Sequence, residues 1–385
     1  MNNLQEIYLD NAATTKCLES SAEIAYEIMT ESYGNPSSVH GKGFFAEKLL
    51  KSARLEIMNA LGANDRNYNI VFTASGTESD NLAILGSARL LTKKGNRILL
   101  GDSEHPAVFE CKKELENLGY EVLLIPNNEG VIDYEFIKSN LNCKTVLMSH
   151  MFVNNETGAL YDIKKLTRLR DDLSPGCLIH TDAVQAFLKT DKKLASCGAD
   201  MISISSHKIH APKGIGALLY KKNIRLSPIV FGGNQESGLR SGTEALHAIC
   251  AFANSAKILS EQCVENLKTA EYLHSYACAK LKNLVPLVII NKPALFSPYI
   301  LSITVPHIKS EVMLRFLSEK GIYISAGSAC SSKHRENRVL INYGLSREFA
   351  DTTIRVSFSH FNTDEEIDFF IDALSEGINT LAKIK

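Results

Sequence analysis

From about residue 68 onward, short apolar runs alternate with longer amphipathic stretches. The amphipathic stretches predict helices over Thr77–Leu91, Ala107–Leu118 and Ile163–Leu173. The apolar runs have the length and composition of buried strands; they are Asn69–Ala74, Arg97–Gly101, Glu121–Pro126, Lys144–Ser149, Cys177–Thr181, Asp200–Ser205 and Gly216–Tyr220. This alternation predicts an α/β fold, with a mostly parallel central sheet and helices on both faces. In such sheets, ligands bind at the carboxyl ends of the strands.

The pattern changes after about residue 250 and indicates a smaller α+β domain. Its predicted elements are a long helix over Ala251–Leu284, strands over Val285–Ile290, Tyr299–Val305 and Ile322–Ser325, and helices over Glu311–Lys320 and Asp364–Ala382. We therefore expect a large domain over residues 14–255 and a small domain formed by residues 1–13 and 256–385. Because no Ser/Gly-rich linker separates them, the domains should pack closely, with a site between them.

The composition narrows the class of protein. Of the 385 residues, 42 are Lys or Arg and 43 are Asp or Glu, so charge gives no reason to expect nucleic acid or an acidic membrane as the main partner. The first residues lack the pattern of a signal peptide, and no apolar run is long enough to span a membrane. We expect a cytoplasmic protein. The nine cysteines include no CxxC pair, which argues against a disulfide framework and a thiolate zinc site.

A predicted strand, a turn containing glycine and a predicted helix follow one another around Thr73–Ser79. Gly76 and Thr77 would expose backbone N–H groups at the helix N-terminus, where an anion is stabilised by the helix dipole. The segment is not a P-loop, because no GK[ST] follows it. A simple N-cap by Thr77 is the alternative.

Two later strand ends carry charged residues. A buried carboxylate at Asp182 needs a partner, and a pyridinium N–H is one such group; Gln185 could then contact a ring hydroxyl. A carboxylate that caps the next turn is the alternative. Lys208 could form a Schiff base, and Ser205 and His207 could bind phosphate. The alternatives are a solvated loop lysine and a metal-binding pair of His207 with His210, for which no third ligand is evident.

Two further residues complete the set of candidates. His105 follows the Arg97–Gly101 strand and could stack on a flat ring, although a hydrogen-bonded polar histidine is the alternative. Cys330 lies in a run of small residues that should be exposed, and an exposed thiol is a nucleophile when it ionises. Such a cysteine is more often passive. The phosphate turn at Gly76 and Thr77, His105, Asp182 and Lys208 follow one another along one α/β domain. Together they are the components of a pyridoxal 5′-phosphate (PLP) site.

The chain resembles the cysteine desulfurases, which belong to the class V, fold-type I aminotransferase superfamily. The segments that carry the resemblance extend over nearly the whole sequence; they are Tyr8–Thr14, Tyr33–His40, Ser75–Ser79, Glu104–His105, Val153–Gly158, Asp182–Gln185, Ser205–Lys208, Arg240–Thr243, Gly327–Ser332 and Thr353–Ser357. The cysteine motif is similar to that of the subclass with a long Cys loop. Many ordered matches make this family resemblance specific.

The resemblance implies a PLP-dependent transferase that takes sulfur from L-cysteine, gives L-alanine and leaves a persulfide on Cys330. A sulfur acceptor in iron–sulfur cluster assembly, tRNA thiolation or cofactor biosynthesis would then receive that sulfur. The resemblance implies that Lys208 forms a Schiff base with PLP, that His105 stacks on its ring, and that Asp182 and Gln185 contact the ring nitrogen and the ring hydroxyl. It implies phosphate binding by Gly76, Thr77, Ser205 and His207, and a homodimer in which Thr243 contacts the neighbouring subunit's phosphate. It also implies that Asn155 and Arg355 bind the substrate carboxylate, with Asn35 nearby.

The sequence also departs from the pattern of these enzymes. The departures are Asn234 and Ser237 in a glycine-rich segment, His210-Ala in place of Tyr-Gly, His334–Arg338 where Pro-Ser-His/Tyr commonly precedes Val, and Ser359-His360 in place of a Gly and a basic residue. A selenocysteine lyase, another class V enzyme and a non-catalytic protein on the same scaffold are the alternatives. The thiol at Cys330 argues against an aminotransferase, and the retained Lys208 and Asp182 argue against a non-catalytic protein.

Overall fold

The computed structural model describes residues 6–191, 193–284, 287–327 and 337–381. The strands in these ranges are β1 Ile7–Tyr8, β2 Tyr68–Thr73, β3 Arg97–Gly101, β4 Glu121–Ile125, β5 Asn127–Asn128, β6 Val131–Ile132, β7 Thr145–Ser149, β8 Leu178–Asp182, β9 Met201–Ser205, β10 Gly216–Lys221, β11 Ile289–Asn291, β12 Ile300–Thr304, β13 Ile322–Tyr323, β14 Ser325–Ala326 and β15 Thr353–Ser357.

Helices cover the strands. These helices are α1 Glu19–Thr30, α2 Gly41–Leu61, α3 Gly76–Leu91, α4 Pro106–Phe109, α5 Cys111–Asn117, α6 Tyr134–Asn140, α7 Ile163–Leu173, α8 Leu246–Leu281, α9 Ser310–Glu319, α10 Arg338–Tyr343, α11 Arg347–Asp351 and α12 Asp364–Thr380. Four of them, α3, α7, α9 and α12, begin and end within two residues of their predicted limits, α8 begins five residues earlier than predicted, and α1, α2, α6, α10 and α11 were not predicted. The predicted helix over 107–118 is divided between α4 and α5. Glu110, between them, keeps right-handed helical dihedral angles, so α4 and α5 follow each other as one briefly interrupted helix.

The central sheet has the strand order β2-β10-β9-β8-β7-β3-β4. β10 is antiparallel to both β2 and β9, and every other neighbouring pair is parallel. This confirms the predicted α/β class with a mostly parallel sheet.

Both faces of the central sheet are buried, because successive side chains of a strand point to opposite faces. On β3, Ile98 and Leu100 join the core that α3 and α5 cover, while Leu99 joins the opposite core with α2, α7 and the first half of α8. Apolar residues at consecutive positions are therefore required, which is why these strands are continuous apolar runs in the sequence.

A second, antiparallel sheet has the order β11-β12-β15-β14, and α9, α12 and the end of α8 pack on it. The predicted strand over 322–325 is two strands, because β13 pairs with β1 whereas β14 pairs with β15. Ile7 brings the start of the described chain into this core. Among the described helices, none has the length and apolar character needed to cross a membrane.

Candidate active site

The carboxyl ends of β2, β8 and β9 meet at one edge of the central sheet. Gly216 of β10 lies opposite Thr73 on one side and Ser205 on the other, so the ends of β2 and β9 are adjacent. Asp182 is the last residue of β8 and lies opposite Ser203 of β9. The chain thus places the predicted phosphate turn, the acid and the lysine-bearing turn at the edge where ligands of such sheets bind.

The N-terminus of α3 forms the predicted anion site. Ser75 is its N-cap, and its Oγ accepts a hydrogen bond from the Glu78 N–H at 3.2 Å. The cap is therefore Ser75 and not Thr77, which is exposed. The N–H groups of Gly76 and Thr77 precede the first hydrogen bond of the helix, from Ser79 N to Ser75 O. They are the donors that an anion at this end would use.

Gly76 permits a close approach of the turn to the strand ends. A Cβ atom at this position would lie 2.8 Å from Val184 Cγ2 and 3.4 Å from Ser205 Cβ. Ser205 is buried, and its Oγ would lie 3.9 Å from the same Cβ. The turn, the Ser205 side chain and the segment after Asp182 therefore form one compact cradle.

Asp182 is buried and forms no ion pair among the described residues, although the charge of Lys208 acts on it. Its Oδ1 accepts a hydrogen bond from Val184 N at 2.9 Å. Burial, followed by the charge of Asp80, raises the pKa of Asp182 to about 7. Gln185, one turn further on, donates from Nε2 to the Ala12 carbonyl at 2.8 Å, while its buried Oε1 has no partner among the described residues. Both side chains have hydrogen-bonding capacity left for a ligand.

A set of buried polar residues lies next to Asp182. Ser149 Oγ donates to Glu104 Oε1 at 3.2 Å and is 2.9 Å from His180 Nδ1, and His180 Nε2 is 2.9 Å from Ser203 Oγ. Burial lowers the pKa of His180 to about 4 and raises the pKa of Asp80 to about 8. The imidazole is therefore neutral at pH 7 and supplies Asp182 with no positive charge.

Lys208 follows β9 in a short 3-10 turn over Ser206–Lys208. Its Nζ donates to the carbonyl oxygens of Ala12 at 2.7 Å and Ala13 at 2.6 Å. Its charge acts on both Asp182 and His105. The amine is therefore held at the same edge as the acid and the predicted ring-stacking residue.

The two predicted histidines are neutral and oriented by local contacts. His105 caps α4 through Nδ1, which accepts from Ala107 N at 3.1 Å, and burial together with Lys208 lowers its pKa to about 4. His207 Nδ1 is 3.2 Å from Thr14 Oγ1, and burial, with the charge of Lys208, lowers its pKa to about 3. His210 contacts the Lys16 carbonyl instead, so the pair does not converge on a metal.

Arg355 joins the small sheet to the pocket. Its Nη1 donates to the Asn155 carbonyl at 2.9 Å, and its Nη2 donates to Asp10 Oδ1 at 2.8 Å. Asp10 was absent from the sequence-based candidates, since no local signal pairs residues so far apart. Asn35 is exposed and its Oδ1 accepts from Ser37 N at 2.9 Å, so the described chain does not bring it to Arg355.

Thr243 is exposed in the segment between β10 and α8. Nearby, Arg240 Nε donates to Glu78 Oε1 at 2.9 Å, which ties this segment to the first turn of α3. Glu236 pairs with Arg54 at 2.6 Å, although Glu236 has a left-handed φ of 48° and the neighbouring Ser237 one of 57°. The segment is thus fixed beside the anion site. Cys330 lies outside the described residues.

Three residues that depart from the desulfurase pattern, His210, Ser359 and His360, contact one another. His210 Nε2 is 3.3 Å from Ser359 Oγ, and the rings of His210 and His360 are 5.1 Å apart. His210 belongs to the turn after Lys208, and the other two follow β15. The three residues therefore contact one another where the turn after Lys208 meets the chain that follows β15, and Asp182 and Lys208 are retained in the sequence.

The residues present fit PLP. The glycine cradle at an α-helix N-terminus suits its phosphate, Asp182 suits its ring nitrogen, and the lysine amine suits its aldehyde. Fold and site together define an α/β enzyme of the PLP-dependent transferase class.

Comparisons with known proteins agree. Residues 7–370 match the family model Aminotransferase class-V. A "NifS/IcsS protein homolog" of Lactobacillus delbrueckii subsp. bulgaricus is 39% identical, over 98% of each chain. "Cysteine desulfurase IscS 1" of Archaeoglobus fulgidus is 35% identical, over 97% of each chain. A solved "NifS-like protein" has a TM-score of 0.92 at 33% identity and covers 98% of this chain and 100% of its own. The chain belongs to the aminotransferase class-V family and, within it, to the PLP-dependent cysteine desulfurases.

Proposed function

We propose that this enzyme removes sulfur from L-cysteine, with PLP bound to Lys208 and with Cys330 as the residue that receives the sulfur. The observation that carries the proposal is Asp182, a buried carboxyl that forms no ion pair among the described residues and that lies at the same sheet edge as the Lys208 amine and the N-terminus of α3. Relatives named cysteine desulfurase over nearly the full chain support L-cysteine as the substrate and L-alanine as the product.

The residues of the large sheet hold the cofactor. Lys208 binds it covalently, Asp182 contacts its ring nitrogen, Gln185 contacts its ring hydroxyl and His105 stacks on its ring. Gly76, Thr77, Ser205 and His207 hold its phosphate. When bound, PLP supplies a sink for the electrons released at the substrate Cα.

Lys208 then acts as the general base toward the substrate. Its two carbonyl contacts hold the amine at the site, and the neutral His105 adds no positive charge beside it. Arg355 binds the substrate carboxylate with Asn155. Asp10 holds the guanidinium in place from its other side.

Cys330 takes the substrate sulfur as a persulfide and passes it to an acceptor protein. The described chain on either side of Cys330 contacts the site: Gly327 approaches Glu156, which follows Asn155, and Arg338 reaches the backbone beside His105. An acceptor in iron–sulfur cluster assembly or in tRNA or cofactor thiolation fits a persulfide donor, and the cytoplasm is the compartment in which a free thiol persists.

The active form is a homodimer in which Thr243 contacts the neighbouring subunit's phosphate. Support comes from large apolar side chains that are exposed on the described chain in and around α1, α2 and the segment before α8; they are Tyr26, Met29, Tyr33, Val39, Phe44, Phe45 and Phe231. We also propose a large domain over 14–255 and a small domain formed by 1–13 and 256–385. The separate cores on the seven-stranded and the four-stranded sheets support this division, although α8 crosses the boundary.

Two substitutions separate the proposed roles. Cys330→Ala should keep the yellow absorbance of lysine-bound PLP and lose sulfide release from cysteine in the presence of a thiol. Lys208→Ala should lose that absorbance as well. Cys143→Ala, at an exposed cysteine, is the matched control and should leave both unchanged. Normal sulfide release by Cys330→Ala would exclude the persulfide route, and pyruvate in place of alanine would indicate a different class V reaction.

A further inference from the structure

Arg338 connects the chain after Cys330 to the large sheet. It is the first residue of α10, and its guanidinium donates from Nη1 to the Asp102 carbonyl and from Nη2 to the Glu104 carbonyl at 2.6 Å. Asn342, one turn later, also donates to the Asp102 carbonyl, at 3.0 Å. The guanidinium carbon lies 3.7 Å from the centre of the Phe109 ring. Helix α10 is thus attached to the turn at the carboxyl end of β3.

This contact requires an arginine. One planar guanidinium presents two donors at fixed spacing, so it can bind two carbonyls and stack on an aromatic ring together, which an ammonium cannot do. Burial lowers the pKa of Arg338, and the carboxyls of Glu156, Asp102, Glu104 and Glu110 act in the opposite direction and favour its charged form. In the desulfurases that the chain resembles, His or Tyr commonly precedes this Val, and neither side chain offers the same pair of donors.

Both carbonyls belong to the three residues that precede His105. The Glu104 carbonyl belongs to the peptide bond that leads into His105, so a hydrogen bond to this oxygen fixes the orientation of that peptide. The His105 ring accepts a hydrogen bond from the Ala107 N–H at 3.1 Å. A displacement of the peptide over 104–105 would therefore move the ring directly.

The chain before Cys330 is attached in a corresponding way. Gly327 is buried against Glu156, and a Cβ atom there would lie 2.6 Å from Glu156 Oε2. Glu156 follows Asn155, whose carbonyl Arg355 binds. Both described flanks of the Cys330 segment therefore contact a residue that adjoins a proposed site residue: Arg338 contacts the Glu104 carbonyl, and Gly327 lies against the Glu156 side chain.

We propose that Arg338 is a positioning residue, which fixes the end of the Cys330 segment to the backbone that carries His105. This inference rests on the proposed function. It predicts that loss of the guanidinium slows delivery of the Cys330 thiol to the substrate without removing the cofactor.

The test compares holoenzymes carrying Arg338→Met, Arg338→Lys and Arg315→Met, the last being a control at an exposed arginine on α9. In a single turnover with L-cysteine, Arg338→Met should form the Cys330 persulfide about 10- to 100-fold more slowly, because a small misplacement of reacting groups has effects of this size. The amount of lysine-bound PLP per subunit should stay at the wild-type value, so the loss lies in the rate and not in cofactor binding. Arg338→Lys should be intermediate, and Arg315→Met unchanged.

Hydrogen–deuterium exchange gives a readout that is independent of activity. Peptides covering 102–110 should exchange faster in Arg338→Met than in the wild type, and Arg315→Met should leave them unchanged. Persulfide formation by Arg338→Met within twofold of the wild-type rate, or unchanged exchange over 102–110, would overturn the inference. A wild-type enzyme that forms no persulfide would instead refute the proposed function, while the exchange result would still decide whether Arg338 holds this segment.

Discussion

Two aspartates at opposite ends of neighbouring strands are equally buried but have different surroundings. Asp182 ends β8 and is 6% exposed, and Asp200 directly precedes β9 and is 5% exposed. Since β8 and β9 are parallel, the two carboxyls lie at opposite edges of the same sheet. Burial alone therefore does not distinguish a carboxylate that supports the fold from one that serves the site.

Asp200 has a full set of partners from the protein. Arg170 Nη1 lies 2.6 Å from its Oδ2, Lys221 Nζ lies 2.8 Å from its Oδ1, and Ile179 N donates to Oδ2 at 2.8 Å. These contacts tie α7, β8 and β10 together at the amino end of β9. Asp182 receives one backbone hydrogen bond and forms no ion pair within the described chain. A buried carboxyl at the ligand-binding edge that lacks such a pair is the one that we assign to a cofactor.

The largest effect on stability should come from Asp200→Asn. This change leaves the Arg170 guanidinium, which is itself buried, without its main counter-charge, and breaking a buried pair costs about 3–5 kcal/mol. Urea unfolding of the cofactor-free protein measures the loss. Asp171→Asn is the matched control, because Asp171 also pairs with Arg170 but is exposed. Equal unfolding midpoints for the two variants would show that Asp200 is not the structural carboxylate described here.

Asp182→Asn should raise the free energy of unfolding of the cofactor-free protein, whereas Asp200→Asn should lower it. The folded pKa of Asp182, about 7, lies above its ordinary value of 3.8, so between these values the folded state binds more protons than the unfolded chain. Its contribution to stability is present at low pH and is lost as the pH rises toward 7. Because asparagine does not titrate, the variant should not show this loss. The free energy of unfolding of the variant, relative to the wild type, should rise by about 1.4 kcal/mol per pH unit at most.

The measurement is urea unfolding of both cofactor-free proteins between pH 5 and pH 8. Other buried carboxyls and histidines titrate too, but they are common to both proteins and largely cancel in the difference. The difference should grow from pH 5 to about pH 7 and then level off. Curves that stay parallel over the whole range would show that Asp182 is ionised throughout and has a compensating charge.

The sequence predicted the side chains that lie at strand ends, because the signal for a strand end is local. It did not predict contacts between residues that are far apart in the sequence. Asp182, Gln185 and Lys208 could be identified because each follows an apolar run, and the carboxyl ends of such strands share an edge. Asp10 opposite Arg355, and Arg338 on the 102–104 carbonyls, join segments that only the folded chain brings together. Asp80 and His180 had a weak local signal, a polar residue within an otherwise buried helix face or strand.

The division of one predicted strand into β13 and β14 has the same origin. Apolar residues over 322–325 indicate extended chain, but only the positions of β1 and β15 decide that the chain changes partners at Ile324. Element type is therefore a property of the local sequence, whereas sheet membership is a property of the assembled fold.

Lys221→Met should have the smallest effect on stability. It removes a cation that pairs with Asp200 and leaves the carboxylate in place. Lys221 is partly exposed and shares Asp200 with the buried Arg170, so its removal leaves the carboxylate paired. We expect a loss of about 0.5–1 kcal/mol in urea unfolding, in the range of partly exposed ion pairs. The loss should shrink between 0.05 and 0.5 M salt, because screening weakens exposed pairs more than buried ones. A loss as large as that of Asp200→Asn, insensitive to salt, would mean that Lys221 and not Arg170 is the main counter-charge of Asp200.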